Sequence, residues 1–486
     1  MIDDGPTDGP VDESGLGSGR VSGLGSGFGA GPSRRRGALG WLAGVLVLLL
    51  VLLVAAWAVF LREPGGSAAP SPLPSTPVPS QTPSPTTSTT DAEQVRLAAL
   101  EEVLHIRERA VLDRDASTWL STVDPAQRSF RAKQQAEFAN LARLPLSRWT
   151  YGVVGPGPAL SAARQAELGA DAWVAQVDLG YRFGAADRTD VHSTEYLTMV
   201  DRDGTWRIAS DSDAHSATEI WDLGPLTVLT GHSSVIIGLG PRASLTAYAS
   251  QADAAVTRVS AIWGTAWPRR VVVLVPKTQA EMGRLLDRSS DTLDQIAAVT
   301  TGELTAAEGS AAGGADQIIV NPAGFAKLGA LGRRVVITHE ATHVAVRGST
   351  PRQVSIWLSE GFADYIGYSG LGLPRTEVAS DVLGLVRRGT GPKALPDNED
   401  FDATHATIGP AYSASWLACS LIADRYGPAK LLALYRAASG ATTVKGVTAE
   451  MSPEVATAQA FPAVLGTTQA AFTRYWLRYL TTLSLE

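Results

Sequence analysis

"VVITHEATHVAV", residues 335–346, sets two histidines four positions apart, His339 and His343, around a glutamate, Glu340, in a run otherwise small and mostly apolar. Ionisable groups buried in such a run cost free energy unless each finds a partner. They form a metal site, a buried hydrogen-bonded cluster or a coincidence of composition, and the rest of the chain must decide. Val335, Val336, Ile337, Val344 and Val346 are β-branched and favour a strand. The spacing favours a helix, on which the two imidazoles stack one turn apart and can address one ion. Glu340 is then turned by about 100° toward the edge of that face. Gly348 and Pro351 supply an end.

A single cysteine, Cys419, excludes an intramolecular disulfide and a thiolate metal cage, so any metal here must use His, Asp or Glu. On an apolar stretch, Cys419 reads as a small buried hydrophobe. The net charge of −7 and the lack of a long basic run argue against a nucleic-acid partner.

Residues 1–38 begin as a Gly/Ser/Asp-rich tail with too little apolar content to order, and are expected to be a disordered cytoplasmic segment. "LGWLAGVLVLLLVLLVAAWAVFL", 39–61, is uncharged and long enough for one helix across the bilayer. Arg34, Arg35 and Arg36 precede it, which places the N-terminus in the cytoplasm and everything after the span outside. The expected location is therefore a single-pass anchor in the cell membrane with the globular part extracytoplasmic. Residues 62–90 are Pro/Ser/Thr-rich and suit an extended stalk.

From residue 91 the composition is globular. Val95, Leu97, Leu100, Val103 and Leu104 recur at helical spacing, and a second helix is expected at about 126–142. "DAWVAQVDLGYRF" alternates with period two, and "HSTEYLTMVDRDGTWRIAS" reads as two strands turned at Asp203-Gly204. Helices followed by long antiparallel strands make an α+β class, and in element order residues 91–220 resemble the NTF2-like fold, a cone. His192 and His215 there have no spaced partner and read as surface or hydrogen-bonded residues. Residues 225–486 form a further region. "LTVLT" and "SVIIGL" suggest a hairpin, a helix is expected at about 247–263, and "RRVVVLVP" is a continuous apolar strand. Thr278 and Glu281 have capping-box spacing, and "DQIIVNP" supplies a strand before the histidine motif.

A metal site needs a third ligand. Glu360 in "SIWLSEGFADYIG" (355–367) lies 17 residues after His343, enough for the first helix to end and a second to return with a carboxylate. Asp364, four residues on, can accept the outer ring N–H of a ligating histidine. The pair His339-Glu340-Ala341-Thr342-His343 and Trp357-Leu358-Ser359-Glu360-Gly361-Phe362-Ala363-Asp364-Tyr365 resembles the gluzincin metallopeptidases of the peptidase MA-like group. That resemblance covers roughly 225–485. It implies one zinc ion held by His339, His343 and Glu360, with Glu340 as general base, Asp364 behind a ligand and a peptide or protein substrate. It further implies a downstream Tyr or His that stabilises developing negative charge. Tyr412 stands in that position, with His405 the second choice. It also implies an upstream edge strand that binds substrate backbone, for which "DQIIVNP" and Asn321 are the match in position. The sequence departs from thermolysin and related aminopeptidases in a shorter connection between the second histidine and the glutamate. The alternative, from another class, is a catalytically idle peptidase-like fold serving extracytoplasmic binding or scaffolding.

Overall fold

The computed structural model describes residues 87–294, 296–301, 314–401 and 408–486. The expected tail (1–38), the membrane helix (39–61) and the stalk up to residue 86 lie outside the described residues. Among the described residues no helix is long and apolar enough to cross a membrane.

The protein is α+β, with an N-terminal sheet region followed by a mixed sheet and a mostly helical C-terminal part. Helix α1 (Thr87–Asp113) begins within the stretch assigned to the stalk. It turns Leu100, Val103, Leu104, Ala110 and Val111 inward at helical spacing. α2 (Ala116–Ser121) is capped by Asp115, which accepts from the amides of Ser117 and Thr118, and α3 (Arg128–Leu141) follows. The helices cover an antiparallel sheet in the order β1 (Leu146–Pro156), β2 (Trp173–Phe183), β3 (Val191–Arg202), β4 (Thr205–Ser210). A short helix α4 (Ala162–Leu168) bridges β1 and β2. The β3–β4 turn falls at Asp203 and Gly204, where φ is 54° and 81°, the left-handed backbone that a tight two-residue hairpin needs. β1 escaped the sequence reading because its alternation is interrupted: its pairing with β2 shifts register between Val153 and Gly155. His192 and His215 are exposed and paired with Asp178 and Asp287, at 2.7 and 3.1 Å.

The second sheet runs β5 (Thr227–Thr230), β6 (Ser234–Gly238), β7 (Val271–Val275), β9 (Gln317–Val320), β8 (Ala298–Thr300). β6, β7 and β9 are parallel; β5 and β8 are antiparallel edges. Helix α5 (Arg242–Trp263) connects β6 to β7, and α6 (Gln279–Leu285) starts at the capping box of Thr278 and Glu281. The continuous apolar character of β7 has a direct cause, since both faces of the sheet are covered. Val271, Val273, Val275, Ile318 and Val320 pack into a core shared with α5 and the C-terminal helices. Val272, Leu274, Ile319, Val235 and Ile237 pack on the other face against Trp149, Tyr181 and Trp221 of the N-terminal region. Those three aromatic rings contact one another at centroid distances of 5.0–6.2 Å. Polar ties reinforce the junction: Asn140 Nδ2 donates to the carbonyls of Trp221 and Gly224, both at 2.9 Å, and its Oδ1 accepts from Leu226 N.

Two predictions follow from this packing. A chain beginning at residue 225 leaves one face of the second sheet in water. It is expected to lose cooperative thermal unfolding, which calorimetry on the shortened and full chains would read. The second concerns pH. Burial raises the carboxyls of Glu195, Glu219 and Asp187 from 4.5, 4.5 and 3.8 to about 8, 7 and 7. An acid held above its unfolded value binds its proton more tightly when folded. Stability is then highest below the unfolded pKa and falls as pH rises through the folded one. The melting temperature is expected to drop between about pH 5 and about pH 8, and Glu195→Gln to make that slope shallower.

Candidate metal centre

The stretch 335–346 lies in helix α8 (Ala330–Arg347). Burial overrides the β-branched preference: Val335, Val336, Ile337 and Val346 are all nearly inaccessible, and most of this apolar set packs into the core beside α5. α8 ends at Arg347 with Gly348 after it, as the sequence indicates. A connection over 348–355 leads to α9 (Ile356–Tyr368), which packs back along α8 and presents Glu360 and Asp364 from one face.

The three presumptive ligands meet. His339 Nε2 is 3.2 Å and His343 Nε2 3.5 Å from Glu360 Oε2, and the two Nε2 atoms are 2.9 Å apart. All three residues are at most 2% exposed. Asp364 Oδ1 lies 2.9 Å from His339 Nδ1 and accepts its proton, which turns Nε2 toward the cluster. Burial by itself lowers the proton affinity of His339, but Asp364 and Glu360 outweigh it and hold the ring at about 10. Burial likewise works to raise Glu360, and the two imidazoles outweigh it, to about 2. The two shifts are reciprocal: the carboxylates favour the charged imidazole, and the imidazoles favour the charged Glu360.

This donor set fits a zinc ion. Ligand atoms about 2.1 Å from a tetrahedral centre lie about 3.4 Å from one another, and the three separations here, 2.9, 3.2 and 3.5 Å, straddle that value. Two neutral imidazoles and one carboxylate are a borderline-soft set that suits zinc, and among the described residues these are the one group of this kind.

Close approach of the helices makes the convergence possible. α9 crosses α12 (Ile408–Tyr426) at Gly361, where a methyl group would overlap the carbonyl of Ser415 and come within 2.9 Å of Cys419 Sγ. Gly367 meets Val335 of α8 in the same manner, at 3.3 Å. Cys419 is fully buried and its thiol is pushed up by burial, in keeping with a packing role.

The remaining expected residues are placed as follows. Glu340 is 1% exposed, and its Oε2 accepts a hydrogen bond from Thr300 Oγ1 at 2.8 Å. Tyr412, in the first turn of α12, has its ring 6.3 Å from that of His339 and stands edge-on to Phe401 at 4.9 Å. Trp416, one turn further on, makes a tilted ring contact with Tyr368 at 5.2 Å. His405 lies outside the described residues. Asn321 is fully buried and caps α7 (Pro322–Ala326), accepting from the amides of Ala323 and Gly324. Its Nδ2 donates to Gln279 Oε1 and to the carbonyl of Leu293, so the whole amide is engaged in local structure.

The strand "DQIIVNP" is not an edge. It forms β9, bonded to β7 on one side and β8 on the other, and the edge beside α8 is β8, three residues long. Sequence reasoning missed β8 and Thr300 with it, because a three-residue run carries too little alternation to register.

No family model matches the chain, and no curated protein does. Among solved structures it is similar to a two-domain M1 zinc metallopeptidase, a mutant crystallised with L-arginine. The two are 15% identical, with a TM-score of 0.29, and the match spans 64% of this chain and 61% of that one. A likeness that distant assigns neither fold nor chemistry.

Asp364 fixes the ring of a presumptive ligand, so Asp364→Ala is expected to weaken zinc affinity about 10- to 100-fold, as read by competition with a chromophoric chelator. Gly361→Ala is expected to weaken it as well, by forcing α9 away from Ser415.

Proposed function

We propose that this protein is a zinc-dependent peptidase whose centre is built from His339, His343 and Glu360, with Glu340 as the general base. One observation carries the reading. Glu340 is buried beside the three converging ligands and is not among them, held instead by Thr300. A purely structural site has no use for such a carboxylate, and it usually closes the fourth position with another protein ligand.

A zinc ion in this centre supplies a Lewis acid that makes water acidic near neutral pH and polarises a carbonyl. His339 and His343 present lone pairs, and Asp364 keeps the His339 proton on Nδ1 so that its Nε2 stays available. The Glu340 carboxylate takes a proton from the attacking water and delivers it to the nitrogen of the departing amine. Tyr412, whose ring lies 6.3 Å from that of His339, would donate to the oxyanion that develops on the carbonyl oxygen.

A peptide substrate is supported by the edge strand. β8 pairs with β9 on one side only, so among the described strands it is an edge of the sheet, the position at which an extended chain would add. The uncharged stretch 39–61 and the arginines before it support a cell-membrane anchor with this centre on the extracytoplasmic side.

Purified protein is expected to hold one equivalent of zinc, to lose peptide hydrolysis on chelation and to regain it on zinc addition. Glu340→Gln is expected to keep the zinc and lower kcat by about 10²- to 10⁴-fold. A protein without stoichiometric zinc, or a Glu340→Gln variant as active as wild type, refutes the reading.

A further inference from the structure

We propose that Thr300 is a positioning residue that sets the carboxylate of Glu340 in its working orientation, an assignment that rests on the peptidase reading. Thr300 ends β8 and is fully buried. Its hydroxyl lies 2.8 Å from Glu340 Oε2 and 3.3 Å from the Glu340 carbonyl oxygen. A threonine has one O–H to give, and the shorter contact, to the carboxyl oxygen, is the stronger use of it.

The need for such a contact follows from where Glu340 sits. A glutamate turned about 100° from the ligand face has three side-chain torsions between its backbone and its carboxylate. A hydroxyl donated from β8 restrains the outer ones, because the strand is held in register by β9. Val299 and Thr300 are registered against Ile319 and Ile318 of β9. The next residue, Thr301, accepts from Gln317 N through its hydroxyl at 3.0 Å. Gln317 in turn donates to Tyr181 Oη at 3.2 Å, and Tyr181 donates to Glu219 at 3.0 Å. The donor that orients the base is thus tied, through the two strands, to the sheet of the N-terminal region.

A competing role is purely structural: the hydroxyl would serve only to satisfy a helix carbonyl in a dry place. Valine matches threonine in shape and suits a strand, and serine keeps the hydroxyl alone, so Thr300→Val and Thr300→Ser separate the two roles. With the full chain and zinc, Thr300→Val is expected to retain one equivalent of metal and its KM. Its kcat should fall about 10- to 100-fold, since a displacement of about 1 Å at a reacting group costs up to about 100-fold. Thr300→Ser is expected to stay within about threefold of wild type. Independently of activity, a crystal structure of zinc-loaded Thr300→Val is expected to show the Glu340 carboxylate moved or split between rotamers, with His339, His343 and Glu360 unchanged. The proposal is overturned if that carboxylate stays in place, if kcat is unaffected, if valine and serine are equally impaired, or if the valine variant loses its zinc. A Glu340→Gln variant with wild-type activity brings down the peptidase reading, while the position of the carboxylate in Thr300→Val still decides whether Thr300 holds it.

Discussion

The burial of three ionisable side chains on one apolar helix is the constraint from which the rest of the centre follows. His339, Glu340 and His343 are each at most 2% exposed, and besides the contact between the two imidazoles they take partners from other elements, each of them buried too. Glu360 and Asp364 arrive from α9, and Thr300 from β8. Removing one member of such a cluster leaves its partner charged and dry, which is far more costly than an exposed pair would be. For α9 to bring both carboxylates within hydrogen-bonding distance, the helices must touch backbone to side chain. That is why Gly361 faces Ser415, where a β-carbon would overlap the carbonyl, and Gly367 faces Val335, where one would press at 3.3 Å.

The second sheet passes this demand on to the N-terminal region. One face of β6, β7 and β9 backs the helices that carry the centre, and the other face is equally apolar. Trp149, Tyr181 and Trp221 cover it, so the N-terminal sheet acts as the second layer of a core rather than as a spacer. Burying that face stabilises by about 25 cal/mol for each Å² removed from water, a term that a chain without the aromatic cluster would forfeit.

Much of this was legible in the sequence where a period or a spacing carried it. The helix–strand order, the Asp203-Gly204 hairpin, the capping box at Thr278 and the helical reading of 335–346 came from short-range patterns, and local physics fixes such patterns. The ligand set was legible because residues four apart on a helix must share a face, and because Glu360 and Asp364 repeat the same spacing on the next one. What stayed hidden was long-range. β8 is three residues long, and by pairing with β9 it takes the edge position that the strand "DQIIVNP" was expected to have. Asn321 reads by position as a substrate contact, whereas its amide is a buried cap before Pro322.

The short connection between α8 and α9 shows how the two regions meet at the centre. Only residues 348–355 separate the helices, and three distant segments fasten them. Arg188 of the N-terminal region donates to the Gly348 carbonyl at 2.9 Å, Trp263 Nε1 donates to Ser349 Oγ at 2.8 Å, and Ser355 N donates to Thr457 Oγ1 at 3.0 Å. A longer loop could place Glu360 by its own folding; a short one must be held at its ends, because every displacement there is transmitted along α9 to the carboxylate. Arg188 thus steadies the exit of the helix that bears both histidines. Tyr181, through Gln317, steadies the strand that bears Thr300. The same N-terminal region therefore braces both sides of the cluster, α8 through Arg188 and β8 through Tyr181 and Gln317.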